Sequence, residues 1–404
     1  MRYLVLGCGP KSMGKAIAKR LLQETDSIVY VGDQLAENEH LTVEELQWSR
    51  INTGSAILRA DPRPYGFDVI QNKSRLHDVF RNCDIVINAL PASFAPLIVE
   101  AVLQTNESKA GGAKRTHYCD LGGVLEVTKK ILSKKNRKRA ELCGASIVPE
   151  CGFQPGAGNI HAVELYEKYF GTGVTFLKAV LDSLIIYVGG LPKTPPHYKE
   201  LFNLKGLEEI YYNSPLVLSG GKPKKIRRLA HYETMNSARF GLYFGDKNGI
   251  EMEAAITGGL GALPYYMKEA VRTLQEKTLR YSGHYEFVKN TPRDIFIKSI
   301  KELTAKCPKN EKDYCLMHIE AIGFSENTGK KIKVFRTLYV ESDNDFNSMQ
   351  KTTGFTAAVI ANMIVKGKAK PGANPPEIAL NPEETIEALS GALPIIQEYT
   401  TPFL

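Results

Sequence analysis

At 404 residues, 43% hydrophobic and 24% charged, the chain has the composition of a globular protein of two or three domains, which excludes extensive disorder. No apolar run reaches the roughly eighteen residues of a membrane span, so no membrane partner is expected. The net charge of +8 gathers in residues 129–139 and 222–228; neither run interleaves aromatic residues as a nucleic-acid stacking platform does, so both read as solvated surface.

The first residues, Arg2-Tyr3-Leu4-Val5-Leu6, enter a strand at once, with none of the longer apolar stretch of a signal peptide. The seven cysteines form no CxxC pair, which points to free thiols in a reducing, cytoplasmic setting. Cys307, Cys315 and His318 match no zinc spacing, and no metal is expected.

Short apolar strands then alternate with amphipathic helices. Strands are predicted at 3–6, 27–31, 68–70, 84–88, 117–120 and 146–149, and helices at 14–22, 74–80, 95–104 and 160–169, with a helical stretch around Trp48. This is the pattern of a parallel sheet covered on both faces, an α/β Rossmann-type domain. Residues 174–345 hold longer alternating runs, such as 184–188 and 314–322, read as an α+β region with a mixed sheet. Apolar helices are predicted at 352–365 and 383–398. The domain assignment is 1–122 with 345–404 for the dinucleotide-binding part, and 123–344 for a substrate and oligomerisation part.

Gly7-Cys8-Gly9-Pro10-Lys11-Ser12-Met13-Gly14 follows a strand and opens a helix, the context in which a glycine pattern signals dinucleotide binding. The first glycine permits a tight turn, and the second lets backbone approach a pyrophosphate at the helix N-terminus. Two extra residues precede Gly14, so either the turn bulges or Gly14 serves packing alone. Asp33 closes the second strand, where a carboxylate accepts a hydrogen bond from the ribose 2′-hydroxyl. A 2′-phosphate about 4 Å away would be repelled by about 4 kcal/mol at intermediate dielectric, and no cation follows in Gln34-Leu35-Ala36. NAD is therefore the expected cofactor.

Three longer segments carry a resemblance: Asp84 to Pro91, Glu150 to Asn159, and Glu276 to His284. With Tyr118 to Gly123 and Val188 to Pro192, they resemble the saccharopine dehydrogenase-like family, and within it the lysine 6-dehydrogenase branch most closely. The resemblance implies that Asn88, Ala89, Leu90, Pro91, Leu121, Gly122, Pro155 and Gly156 join Gly7, Gly9, Pro10, Met13, Gly14 and Asp33 around the cofactor. It further implies a homo-oligomer, a dimer or tetramer, and oxidation of an amine carbon on lysine or a lysine adduct. One departure is Ile256-Thr257-Gly258-Gly259, where that branch carries an Asn-Thr-Asp-Gly type stretch.

An amine must shed its proton before a hydride can leave the adjoining carbon, and lysine's ammonium has a pKa of about 10.4, so a base or a desolvating pocket is required. Asp120, Cys151 and His284 are the candidates. Each has a plainer role open to it: a turn cap, a small buried residue and a hydrogen-bonded structural histidine, respectively. Arg280 offers a forked partner for a substrate carboxylate, with Tyr198, Lys199 and Thr257 as further lining residues. The favoured reaction is NAD-dependent oxidative deamination of the lysine side chain. A saccharopine dehydrogenase or reductase, and a catalytically silent NAD-binding regulator, are the alternatives.

Overall fold

The computed structural model describes residues 1–9, 12–23, 28–32, 57–60, 76–109, 113–171, 181–195, 198–244 and 248–403. They divide into two compact units, Met1–Ala157 with Gln350–Ala392, and Gly158–Met349 with Leu393–Leu404.

In the first unit, β1 (Arg2–Leu6), β2 (Ile28–Gly32), β3 (Ile57–Ala60), β4 (Ile85–Asn88), β5 (His117–Asp120) and β6 (Ser146–Val148) join the short strand Gly372–Ala373. The sheet order is 372–373, β6, β5, β4, β1, β2, β3, and every pairing is parallel. Parallel strands need crossovers, and the helices α1 (Met13–Leu22), α2 (Leu76–Arg81), α3 (Ala95–Glu107), α4 (Leu125–Ile131) and α5 (Lys134–Cys143) follow strands in this unit. The strand order reverses at β1, between β2 and β4, which makes the crevice at its C-terminal end the natural ligand position. The core packs Leu4, Leu6 and Val86 against Phe80, Ile98 and Val102 of the covering helices.

This unit runs past residue 122, because β6 pairs with β5. The chain rejoins it at Gln350 rather than at 345. The predicted helix 383–398 is also corrected: the helix Pro382–Leu389 ends early, and Ile395–Pro402 is a strand. Gly391 and Pro394 break the helical run, and the β-branched pair Ile395-Ile396 favours extended chain. Residues 393–404 accordingly belong to the second unit. Expectations that fall on Trp48 and on 68–70 lie outside the described residues.

The second unit opens with α6 (Ala157–Phe170). It contains β7 (Leu181–Pro192), α7 (Leu204–Tyr212), β8 (Leu216–Ser219), β9 (Lys222–Lys225), β10 (Glu233–Asn236), β11 (Glu251–Ile256) and β12 (Val271–Tyr281). α8 (His284–Asn290), α9 (Arg293–Ala305), β13 (Asp313–Phe324), β14 (Lys331–Glu341) and β15 (Ile395–Pro402) follow. The strands form a mixed sheet in the order β10-β11-β12-β7-β13-β14-β15, with β8 and β9 attached at β12. Only β12 with β7 is parallel among its described pairings.

One buried cation fastens α6 to the far edge of this sheet. Arg336 on β14, 1% exposed, lies 2.7 Å from both Glu164 of α6 and Glu398 of β15. It also donates to Nδ1 of His161 at 3.0 Å. Burial pushes the Glu398 carboxyl up, but Lys168, Tyr169 and Arg336 outweigh it and hold the group at about 2. Arg336→Met should cost about 3–5 kcal/mol in chemical denaturation, because it leaves Glu164 without its cation and Glu398 with Lys168 alone. Since Glu398 is depressed when folded, the difference from wild type should be full at neutral pH. It should shrink as pH falls toward about 2.

Candidate functional site

The turn after β1 has no room for a side chain at Gly7 or Gly14. Gly7 sits at φ +87°, and a Cβ there would lie 3.0 Å from the carbonyl group of Ala89. Gly7 N–H donates to the Gly32 carbonyl at 2.8 Å, and Ala89 N–H to the Leu6 carbonyl at 2.9 Å, tying the ends of β1, β2 and β4 together. A Cβ on Gly14 would come within 2.3 Å of the Gly7 carbonyl oxygen, so the first turn of α1 rests on the loop itself. Gly14 thus packs helix against turn. Ser12 caps α1 by accepting from Lys15 N–H, and the Gly9 carbonyl accepts from the Ser12 hydroxyl at 2.7 Å. Met13 begins the helix and is half-buried, and no acidic side chain occupies the first turn. The glycine positions of the turn and the positive end of the helix dipole fit a dinucleotide diphosphate. Pro10 and Asp33 lie outside the described residues.

Five of the predicted residues come together at the C-terminal ends of β4 and β5. Asn88, Leu90, Asp120, Leu121 and Gly122 line one pocket, with Thr128 of α4. Asn88, 1% exposed, accepts from Leu90 N–H at 3.1 Å and donates to the Tyr118 hydroxyl at 3.2 Å. Pro91 is exposed beside them.

Asp120 is a bracket. Its Oδ1 accepts from the N–H groups of Gly122 at 2.8 Å and Glu150 at 3.0 Å, and its Oδ2 accepts from the Tyr118 hydroxyl at 2.8 Å. Burial raises its pKa against those three donors. Because the carboxylate joins two loops, the turn-cap role is the one its geometry supports. Tyr118, which the sequence reading placed in the strand 117–120 without giving it a role, is the side chain that completes the bracket. Period-two alternation puts it on the same side of β5 as Asp120, a signal available beforehand.

The 150–157 segment is equally compact. Gly156, at φ +129°, would place a Cβ 2.2 Å from the Gly152 carbonyl oxygen, and Gly122 would place one 2.9 Å from Glu150. Pro155 is buried and follows a cis peptide bond. Cys151 is wholly buried, with its Sγ 3.2 Å from the Val148 carbonyl oxygen. Burial and the neighbouring Cys119 push its thiol well up, so it stays protonated and is no base at neutral pH.

In the second unit the predicted residues divide. Lys199 is engaged by Asp313 at 2.5 Å and by the Glu311 carbonyl. Arg280, Tyr198 and His284 instead form one cluster with Tyr211 and Tyr285. The Arg280 guanidinium, 5% exposed, donates through Nε to the Tyr211 hydroxyl at 2.6 Å and through Nη1 to the Leu279 carbonyl at 2.8 Å. Among the described residues no carboxylate lies within ion-pair distance of it, and its Nη2 has no hydrogen-bond partner. Glu253, opposite Arg280 in register, is engaged by the N–H groups of Gly283 and Tyr285.

His284 stacks on Tyr198 with ring centroids 5.4 Å apart, and its Nε2 lies 3.0 Å from the Tyr211 hydroxyl. Burial and then Arg280 press its pKa well below the ordinary value, so the ring is neutral. Thr257 donates to Glu276 at 2.7 Å and meets Thr278 at 2.8 Å. Glu276, Thr278 and Tyr211 were not singled out from sequence, although 276, 278 and 280 share one face of β12 by strand alternation.

Among the described residues no group of three His, Cys, Asp or Glu side chains is placed to hold a metal ion. None of their helices is long and apolar enough to cross a membrane.

The Saccharopine dehydrogenase C-terminal domain family matches residues 152–393. A curated relative, the saccharopine dehydrogenase [NADP(+), L-glutamate-forming] of Saccharomyces cerevisiae, is 25% identical over 263 residues; the match takes in 64% of this chain and 53% of the relative, about half its length. Among solved structures, apo histidine-tagged saccharopine dehydrogenase (L-Glu forming) from Saccharomyces cerevisiae superposes with a TM-score of 0.70 at 17% identity, covering 99% of each chain, a likeness of fold. On the family match, the chain belongs to the saccharopine dehydrogenase family.

Proposed function

We propose that this protein moves a hydride between the ε-carbon of a lysine chain and a nicotinamide dinucleotide. The observation that carries the reading is the close backbone packing at Gly7 and Gly14 at the reversal of strand order, in a chain of this family. Gly7, Gly9 and the α1 N-terminus would hold the diphosphate, and the pocket at Asn88, Leu90 and Leu121 would receive the far half of the cofactor. The nicotinamide accepts or returns the hydride.

The remaining roles fall to the protein's own groups. Arg280, a permanent cation lacking a carboxylate partner, grips a substrate carboxylate. With Cys151 and His284 both held neutral by burial, desolvation of the substrate amine is the favoured route to its uncharged form.

The first substrate choice is a saccharopine-type adduct, following the curated relative's name. Formation of L-glutamate from such an adduct requires cleavage between its nitrogen and the lysine ε-carbon, so that carbon is the one oxidised. Free lysine is the second choice, and one observation favours it. Of the cations near Arg280 in sequence, Lys277 pairs with Glu233 at 2.6 Å and Arg272 is mostly exposed, which leaves a single clamp where saccharopine carries three carboxylates. Both substrates lose the hydride from the same carbon.

The curated relative is named for NADP, whereas Asp33 argues for NAD by repulsion of a 2′-phosphate. Incubation with saccharopine and with lysine, each with NAD and NADP, should generate the reduced cofactor. Glutamate as co-product identifies the adduct and ammonia identifies lysine; no reduction with either substrate refutes the reading. Asp33→Ala should narrow the preference for NAD by about tenfold or more in fluorescence titrations, and an unchanged ratio removes that carboxylate from the ribose. Gly7→Val should abolish dinucleotide binding, since its side chain meets the Ala89 backbone. Arg280→Lys, which keeps the charge but loses the fork, should raise the substrate KM by about tenfold with less effect on kcat.

A further inference from the structure

We infer that Glu276, with Thr257 and Thr278, receives the α-ammonium of the same amino-acid head whose carboxylate Arg280 binds. The inference rests on the proposed function, because it takes Arg280 to be the carboxylate clamp. Glu276 and Arg280 lie on one face of β12, four residues or about 13 Å apart along the strand, with Thr278 between them. The facing positions on β11 and its extension are Glu253, Ala255 and Thr257. This makes a buried stripe that is anionic at Glu276, hydroxylic in the middle and cationic at Arg280.

Glu276 is wholly buried, yet no cation is within ion-pair distance of it among the described residues. Its Oε2 accepts from the Thr257 hydroxyl at 2.7 Å and from Gly259 N–H at 3.1 Å. Its Oε1 accepts only from the Thr278 hydroxyl, at 2.9 Å, and has a lone pair to spare. A buried carboxylate held solely by neutral donors is costly, and a ligand cation relieves that cost. Burial raises its pKa against these donors and against Arg280, the direction expected of an anion short of a counter-charge. The complementary shortage stands at Arg280, a buried cation with an unpartnered Nη2. An α-amino acid head carries both missing charges side by side. Lysine and saccharopine share that head at the far end of the chain from the ε-carbon.

The test uses the full-length protein and two probes that lack the reacting nitrogen, L-norleucine, which has the head, and hexanoate, which has only the carboxylate. In competition against substrate, wild type should hold norleucine about tenfold or more tighter than hexanoate. Glu276→Gln, which keeps an acceptor oxygen but removes the charge, should bring norleucine to the hexanoate level and leave hexanoate unchanged. A purely structural Glu276 would instead weaken both probes together. Equal binding of the probes by wild type overturns the inference even if Glu276→Gln fails to fold. If Arg280→Lys still weakens both probes in that case, the carboxylate clamp stands and only the ammonium site falls. Binding of neither probe, or binding insensitive to Arg280, removes the clamp and the ammonium site together.

Discussion

The first unit depends on one constraint: backbone must touch backbone at the C-terminal edge of its parallel sheet. A methyl group at Gly7 would press on Ala89, one at Gly14 on the Gly7 carbonyl, one at Gly122 on Glu150 and one at Gly156 on Gly152. Three of these glycines also adopt positive φ, which L side chains rarely take. Loops this close leave their N–H groups near one another, and Asp120 satisfies two of them from neighbouring loops with a single oxygen. The smooth crest that results is what a dinucleotide backbone needs. Side chains at these glycines would collide with the scaffold and, under the proposed function, fill the space of the diphosphate.

The second unit solves the opposite problem, since its sheet buries charge. Arg336 is matched by two carboxylates, and Glu320 by Arg239 at 2.5 Å and Lys333 at 3.2 Å. Burial pushes the Glu320 carboxyl up, but His318 and Arg239 overcome it and hold the group at about 2. Set beside these matched groups, Arg280 and Glu276 stand out: both are buried, and each is held by neutral partners. Glu253 and Asp120 are also buried on neutral donors alone, so the sharper signal is Arg280, a buried cation with no carboxylate partner among the described residues, which a ligand carboxylate would complete.

The parallel sheet was legible because short apolar strands and amphipathic helices alternate, and the glycine turn because it follows a strand and precedes a helix. Expectation failed where helix breakers were passed over or where distant partners outvoted local sequence. At 391–402, Gly391, Pro394 and the Ile395-Ile396 pair already oppose a helix, and pairing with β14 completes the strand. Lys199 sits in sequence beside Tyr198, yet Asp313, far along the chain, draws it away from the Arg280 cluster. Cys151 occupies a strand end suited to catalysis, and only the packing around it reveals a thiol held protonated. Spacing locates such residues. It says nothing of their hydrogen-bond partners.

Under the proposed function, the same distinction bears on how a proton would leave the substrate amine. A histidine near a binding arginine invites assignment as the base, but here proximity works against it. Arg280 and burial both disfavour the imidazolium, so His284 would be a poor acceptor for a proton taken from an ammonium. Its hydrogen bond with Tyr211, the residue that also receives Arg280 Nε, suits a different task. The neutral ring fixes the phenol, the phenol fixes the guanidinium, and Tyr198 stacks behind the ring. Under the proposed function, His284 would act as a positioning residue for the clamp, and activation of the amine would be left to removal of water around it.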